Sequence, residues 1–381
     1  MLTAEGCRAR QQLLWDTLPD EVQWVLIADP RHVLYLANFW VHPLSFSHAE
    51  RAILLLERAR GATLIVDNFT LRSQATQPCV ERESVVKWYD HQHSVDNRDH
   101  SLFGQVLEEL NRCSGCGAIE REWLPTAVFE RLSDRQLSMA VDVGDVLRGL
   151  RQQKHSDEIV LLERCMLGGA AGQTRAAEVV RPGCTEQEVY LEIHNAAAAA
   201  VQCPILLYGD FRATNADVPK AGGLPTTRPL QPGDLLILDF SVVINGYRSD
   251  FTNTLAVGEP RAEQQELFDT CVEALNHGEQ LLRPETSAAE VYRAASARLE
   301  EAGYGALAHH AGHGLGIGHP EPPILVPDSD DVLRVGNVVT LEPGCYVAGV
   351  GGVRVEHNYL ITPEGARRLS NHTIQLTAQG S

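Results

Sequence analysis

The chain has 381 residues, 44% of them hydrophobic and 22% charged, enough to build sizeable cores in two or three domains. Its 50 acidic residues against 32 basic ones give a formal net charge of -18, which sets nucleic acid aside, because a surface that tracks phosphates needs clustered lysine and arginine. No apolar run approaches the roughly 20 residues of a membrane span, so no membrane partner is expected.

The opening "MLTAEGCRARQQLLW" has no apolar segment of the kind a signal peptide carries. The 9 cysteines are an odd number without framework spacing, and they read as free thiols of a cytoplasmic protein. Cys113 and Cys116 form a lone C-x-x-C, with no second pair or histidine cluster beside it, and read as incidental. Through the first 150 or so residues, strands are expected at 24–30, 33–39, 52–58 and 62–69, and a helix at 101–113. "YDHQHSVDNRDH" (89–100) reads as a polar loop, or as a loop reaching a neighbouring subunit.

The polar stretch 151–158 marks a boundary, giving domains 1–152 and 153–381. Ser156 reads as the N-cap of a long amphipathic helix from Asp157 to Val180. Beyond it the sequence repeats itself. "RPGCTEQEVY" from Arg181 returns as "RPETSAAEVY" from Arg283, and each carries a capping box, Thr185 with Glu188 and Ser287 with Glu290. "LQPGDLLILD" (230–239) returns as "LRVGNVVTLE" (333–342), and "GYRSD" (246–250) as "GVRVE" (352–356). Three matches in the same order and near-constant offset predict a duplicated α/β half with a pseudo-two-fold axis.

Each half drives an apolar strand into an acid. Asp239 and Asp250 come from the first half, Glu342 and Glu356 from the second, and packing the halves symmetrically brings all four together. Buried carboxylates in one place repel each other and lose hydration. A pair of divalent cations about 3.5–4 Å apart compensates them. Oxygen donors favour Mn²⁺, while an imidazole donor leaves Co²⁺, Fe²⁺ and Zn²⁺ open. That imidazole is expected from "HHAGHGLGIGHPEPP" (309–323), where glycines flank His313 and let the backbone turn sharply and approach a ligand.

Asp239, Asp250, the "GHG" around His313, "LEPG" at Glu342 and "VRVEH" at Glu356 resemble the metallopeptidases of the "pita-bread" fold, the methionine aminopeptidase, aminopeptidase P and prolidase group. The first domain resembles that of the aminopeptidase P, prolidase and creatinase branch. The fold this implies is α/β (α+β), a creatinase-like N-terminal α/β domain followed by a pseudo-two-fold duplicated pita-bread catalytic domain.

For the site, the resemblance implies that Asp239 chelates one metal ion, that His313 and Glu342 hold the other, and that Asp250 and Glu356 bridge them. Glu342 would take and return a proton while a hydroxide between the ions attacks the carbonyl carbon. His309 and His319 would serve catalysis and substrate binding, Arg354 substrate binding, and His310 packing or support behind the ligands.

The implied activity is hydrolysis of the bond before proline in short peptides, of dipeptidase or aminopeptidase P type, by a homodimer. The alternatives are a metal-dependent C–N hydrolase of a small amide metabolite, similar to ectoine hydrolase, or a non-catalytic peptide-binding module. Three positions depart from the family pattern. The second histidine falls at 319, six residues after His313 instead of seven. No histidine stands in 215–228, where Lys220 or Asn215 would have to substitute. Asn253 replaces an arginine. These changes bear on substrate recognition.

Overall fold

The computed structural model describes residues 1–42, 50–72, 77–132 and 140–378. They form two compact units, Met1–Arg151 and Gln152–Ser381. The first unit contains, in chain order, α1 (Ala4–Thr17), β1 (Val22–Ile27), α2 (Pro30–Ala37), β2 (Ala52–Glu57), β3 (Gly61–Asp67), α3 (Asn68–Arg72), β4 (Arg82–Val86), α4 (Arg98–Leu110), β5 (Cys116–Ile119), α5 (Thr126–Phe129), β6 (Val141–Asp142) and α6 (Gly144–Leu150). Its sheet runs β4-β3-β2-β1-β5-β6. The central pairs β1–β2 and β2–β3 are antiparallel, and the three outer pairs are parallel.

One expected strand is a helix. The run 33–39 lies in and just after α2, whose start is fixed by two local features. Asp29 accepts a hydrogen bond from the Arg31 amide at 2.8 Å, and Pro30 occupies the first turn, where its fixed φ suits a helix and its missing N–H costs nothing. Val33 to Ala37 are buried on every side, so no polar stripe betrays the helical period. Two smaller corrections concern ends. α4 begins at Arg98, where Asn97 caps the His100 amide at 2.8 Å, so the last residues of the expected 89–100 loop are helical. Ser156 is the first helical residue instead of the cap. His155 stands at the N-cap, and its backbone N–H is bonded by Glu158 at 2.8 Å. All 9 cysteines are free thiols.

The second unit opens with α7 (Ser156–Val179) and α8 (Glu186–Val201). These are followed by β7 (Leu206–Asp210), β8 (Ala213–Thr214), β9 (Leu235–Ile244), β10 (Tyr247–Arg248) and β11 (Phe251–Ala256). β9 is the axis of this sheet and pairs with all four others. The second half repeats the plan with α9 (Ala262–Glu279) and α10 (Ala288–Glu301). Its strands are β12 (Gly312–Gly314), β13 (Glu321–Leu325), β14 (Val338–Leu341), β15 (Gly344–Val347), β16 (Gly351–Arg354), β17 (His357–Thr362) and β18 (Gly365–Arg368). The order here is β13-β12-β14-β17-β18, with β15–β16 a separate ribbon. Both expected capping boxes are formed.

Leu235, Leu236, Ile237 and Leu238 are all fully buried, each side chain contributing about 1.5–3 kcal/mol by removal from water. That rigid strand then delivers Asp239. The halves are fastened to each other beside the acids. The Glu356 amide donates to Thr252 O at 3.0 Å, Thr252 Oγ1 donates to Glu356 Oε2 at 2.7 Å, and the Asp250 amide donates to Asn358 Oδ1 at 3.0 Å.

Candidate active site

The four acids and His313 do converge. Asp239 lies within β9, and Asp250 immediately precedes β11. Glu342 follows β14, and Glu356 sits between β16 and β17. β9 pairs Asp239 with Thr252, and β14 pairs Leu341 with His357, so each half offers one acid in or just after its central strand and one just before that strand's antiparallel neighbour. Asp250, His313, Glu342 and Glu356 are buried, and Asp239 is partly so. Oxygens of Asp239, Asp250 and Glu356 fall within 4.8 Å of one another, as do ligand atoms of Asp250, His313 and His319. His309, His310 and Glu342 form a further such group. The cavity above them holds about 260 Å³ and is also lined by Asp210, Lys220, Pro320 and Arg354.

Hydrogen-bond partners fix the ring tautomers. His313 Nδ1 donates to Gly314 O at 2.9 Å, so its Nε2 lone pair faces Glu342 Oε1 at 3.4 Å and Asp250 Oδ2 at 3.5 Å. Burial pushes His313 below its ordinary pKa, so the ring is neutral at pH 7 and carries no proton to share with them. The Nε2 lone pair thus has two carboxylates beside it, and those oxygens take their own donors from elsewhere, Asp250 Oδ2 from His319 and Glu342 Oε1 from Thr340. Glu356 Oε1 is buried without a hydrogen-bond partner among the described residues.

Burial, then repulsion from Asp239 and Asp250, drives Glu342 well above the carboxylate range. Burial and the neighbouring acids do the same to Glu356. Burial also raises Asp239 to about 6 against the opposing charge of Arg354. Asp250 is the exception. Burial opposes its ionisation, but the hydrogen bond and charge of His319, with His313 and Arg248, hold it below the ordinary value. Orphaned acceptors and crowded acids of this kind fit divalent cations.

His319 donates from Nε2 to Asp250 Oδ2 at 2.7 Å, and its ring centre is 4.9 Å from that of His313. The six-residue spacing therefore still brings it to the acids. His309 is half-buried, pushed down to about 4 mainly by desolvation, and belongs to a directed chain. Arg354 Nη1 donates to Tyr346 Oη at 2.9 Å, Tyr346 donates to His309 Nε2 at 3.2 Å, and His309 Nδ1 donates to His310 O at 2.7 Å. Arg354 also engages Asp239 and, at 2.9 Å, Asp210.

Some placements differ from expectation. His310 lines the cavity, 3.5 Å from Glu342 Oε1, instead of packing behind the ligands. In the histidine-free stretch 215–228, Lys220 reaches the cavity and Asn215 does not. Asn253 is buried away from it, its amide donating to Gln375 O at 2.9 Å, so its identity does not shape the cavity wall. The glycines beside His313 serve close approach instead of a turn, since neither has a positive φ. A Cβ on Gly312 would stand 2.1 Å from Thr340 O, and one on Gly314 2.3 Å from Pro322 O. Sequence reading missed Asp210 and Tyr346. Asp210 ends an apolar strand as Asp239 interrupts one, but it has no counterpart in the second half to mark it. Tyr346 carries no signal of its own.

Residues 161–363 match the model of metallopeptidase family M24. The chain belongs to that family. Residues 19–153 match the creatinase/prolidase N-terminal domain. A Xaa-Pro dipeptidase of Pyrococcus furiosus is 32% identical over 240 residues, covering 61% of this chain and 67% of that protein. The fold is that of the prolidase from Pyrococcus horikoshii, with a TM-score of 0.76 at 24% identity over 98% of this chain and 99% of the other. The X-Pro aminopeptidase from Thermotoga maritima superposes with a TM-score of 0.77 at 19% identity over 99% of both. Family M24 membership makes the chain a metallopeptidase, and its cofactor a divalent metal. Among the described residues no helix is long and apolar enough to cross a membrane.

Proposed function

We propose that the chain hydrolyses the bond before proline in short peptides as a Xaa-Pro dipeptidase-like enzyme. Its catalytic domain would span residues 153–381, behind an N-terminal domain of residues 1–152. The observation that carries this is the crowding of four carboxylates around the His313 Nε2 lone pair, which faces Glu342 and Asp250, beside the partnerless Glu356 Oε1. Asp239, Asp250, His313, Glu342 and Glu356 would hold two divalent cations, Mn²⁺ foremost given the oxygen-rich donor set. When bound, such cations supply Lewis acidity and lower the pKa of water towards ~7.

The chain's own groups do the rest. Glu342 takes the water's proton on a carboxylate oxygen and passes it to the leaving nitrogen. Thr340 Oγ1, 3.1 Å from Glu342 Oε1, orients that carboxylate. His319 fixes Asp250. His309, neutral and anchored between Tyr346 and His310 O, stands at the cavity wall where the substrate's amide lies. Arg354 and Lys220 make the far wall cationic towards an anionic substrate group. A bond before proline has no N–H, so recognition there rests on ring shape.

The dipeptidase relative supports the substrate class, and the 9 free thiols suit a cytoplasmic protein. Homodimerisation belongs to the same reading and is checked by light scattering. The deciding experiment strips the purified protein with a chelator and reloads it with Mn²⁺, Co²⁺, Fe²⁺ or Zn²⁺. It then assays Xaa-Pro dipeptides, Xaa-Pro-Yaa tripeptides, non-proline controls and ectoine. Metal-dependent cleavage confined to proline peptides is expected. Cleavage of ectoine alone would replace this reading with the small-amide hydrolase.

A further inference from the structure

His319 reaches Asp250 from a loop that few backbone hydrogen bonds hold, although the side chains of Leu315 and Ile317 within it are buried. Residues 315–320 join β12 to β13 and include Gly316 and Gly318. Leu315 N donates to Val338 O at 2.9 Å, and Gly316 O accepts from Arg248 N at 3.3 Å. Beyond that point Ile317, Gly318 and His319 donate no backbone hydrogen bond to a described residue. Apart from the buried Ile317 side chain and a bond from Gly316 N to Gly318 O at 3.3 Å, the segment carrying the imidazole is fixed at its ends, Gly316 and Glu321.

Both ends rest on one ion pair. Lys154 Nζ donates to Glu321 Oε1 at 2.8 Å, with the two side chains only 1% and 6% exposed. Glu321 is the first residue of β13, two positions after His319. At the other end Gly316 lies directly on the pair. A Cβ there would stand 2.7 Å from Glu321 Oε1 and 2.9 Å from Lys154 Cε. Lys154 is itself fastened. Its amide donates to Gly336 O at 2.8 Å, and the carbonyl of Gln152 accepts from Asn337 Nδ2 at 3.0 Å, in the turn that leads into β14.

Desolvation of two charges offsets most of their mutual attraction, so a buried pair of this kind adds little net stability. It does impose a direction and a distance. We propose that Lys154 is a positioning residue for the hydrolytic site, fixing the 315–320 loop through Glu321 and so holding His319 on Asp250. This rests on the hydrolase reading above.

The test is a double-mutant cycle on Mn²⁺-loaded protein with Ala-Pro as substrate. Lys154→Met is expected to lower kcat about 10- to 100-fold, the scale of an ångström's misplacement, with bound manganese and KM near wild type. Lys154→Arg should recover part of that loss. In a His319→Ala background Lys154→Met should change kcat less than about twofold, because coupled residues are not additive. An equal loss in both backgrounds, or no loss in a folded Lys154→Met protein, overturns the proposal.

Should Lys154→Met fail to fold, Lys154→Met/Glu321→Gln removes both charges and carries the same comparison. A second readout needs no turnover. In metal-free protein the His319 imidazole nitrogen resonances, assigned by their loss in His319→Ala, should move in Lys154→Met. Unmoved resonances overturn the positioning role. A wild type inert on all proline peptides would overturn the substrate reading instead and leave this resonance test standing.

Discussion

Replacing Gly312 by alanine tests whether the site depends on the close approach of its strands. The added Cβ would sit 2.1 Å from Thr340 O and 2.8 Å from Thr340 C, where ordinary contact begins at 3.4 Å. The strands β12 and β14 must then part by about 1.3 Å, and neither neighbour is a side chain that could swing away. Thr340 is the wrong residue to displace, since its Oγ1 accepts from the His313 amide at 3.1 Å and bonds Glu342 Oε1 at 3.1 Å. Overpacking of this kind costs about 1–3 kcal/mol, a fall of roughly 2–12 °C in Tm for a unit of this size. The shift carries His313 and Glu342 apart, so kcat should drop about 10²-fold. Metal content by mass spectrometry, a thermal melt and kcat on Ala-Pro measure all three. Gly104→Ala is the control, because a Cβ there meets nothing within 4 Å, and in the interior of α4 it should stabilise by about 0.5–1 kcal/mol. A Gly312→Ala protein with wild-type Tm, metal and kcat would refute the argument.

Asp250→Ala should release metal and abolish turnover while the far-ultraviolet circular dichroism stays close to wild type; full activity would exclude a dinuclear site. Glu356→Gln keeps the shape of a buried, crowded carboxylate and removes its charge, so the metal-free variant should melt above metal-free wild type. Added Mn²⁺ should then raise the Tm of wild type but hardly that of Glu356→Gln, and an equal rise in both would remove Glu356 from the ligand set. In the first unit, the Arg82 guanidinium bonded to the buried Glu109, with Ser84 helping against burial, holds that carboxyl down at about 2. A depressed carboxylate pKa contributes stability above the unfolded value of 4.5 that is lost as pH falls towards 2. Glu109→Gln should therefore flatten the acid limb of a pH–stability curve by about 2 kcal/mol, allowing for the half-exposed Arg82; an unchanged limb would place the acid sensitivity elsewhere.

The duplicated half was legible because its signals are local and repeat. The capping boxes at Thr185 and Ser287, and the apolar runs ending at Asp239 and Glu342, appear twice in the sequence and are formed twice in the fold. Where the sequence misled, tertiary burial had erased the pattern. Val33 to Ala37 show no polar face because all five are buried, and only the Asp29-Pro30 pair marked the helix. The glycines around His313 suggested a turn, but their reason is the carbonyls of Thr340 and Pro322, which stand far along the chain or across a loop. Asp210 comes to the cavity, and Tyr346 to His309 and Arg354 on its wall, by the pairing of strands, and no spacing along the chain encodes that.

The same contrast explains why the acids stand where the two halves meet. An isolated half would present only two carboxylates at the end of its strands, and water would solvate them. Joining the halves through Thr252–Glu356 and Asp250–Asn358 removes that water and sets four acids against each other. The fold therefore gives up metal-free stability at its own centre. It keeps that centre in place with an apolar strand, Leu235 to Leu238, that has no exposed face. A site strained in this way should be the part of the protein whose order depends most on metal. Hydrogen exchange should show β9 protected whether or not metal is bound. The bonded amides of His313, Leu315 and Gly316 should gain protection chiefly on addition of Mn²⁺. Equal protection of those amides in the metal-free protein would mean that the donors are already compensated and that the acids need no cation.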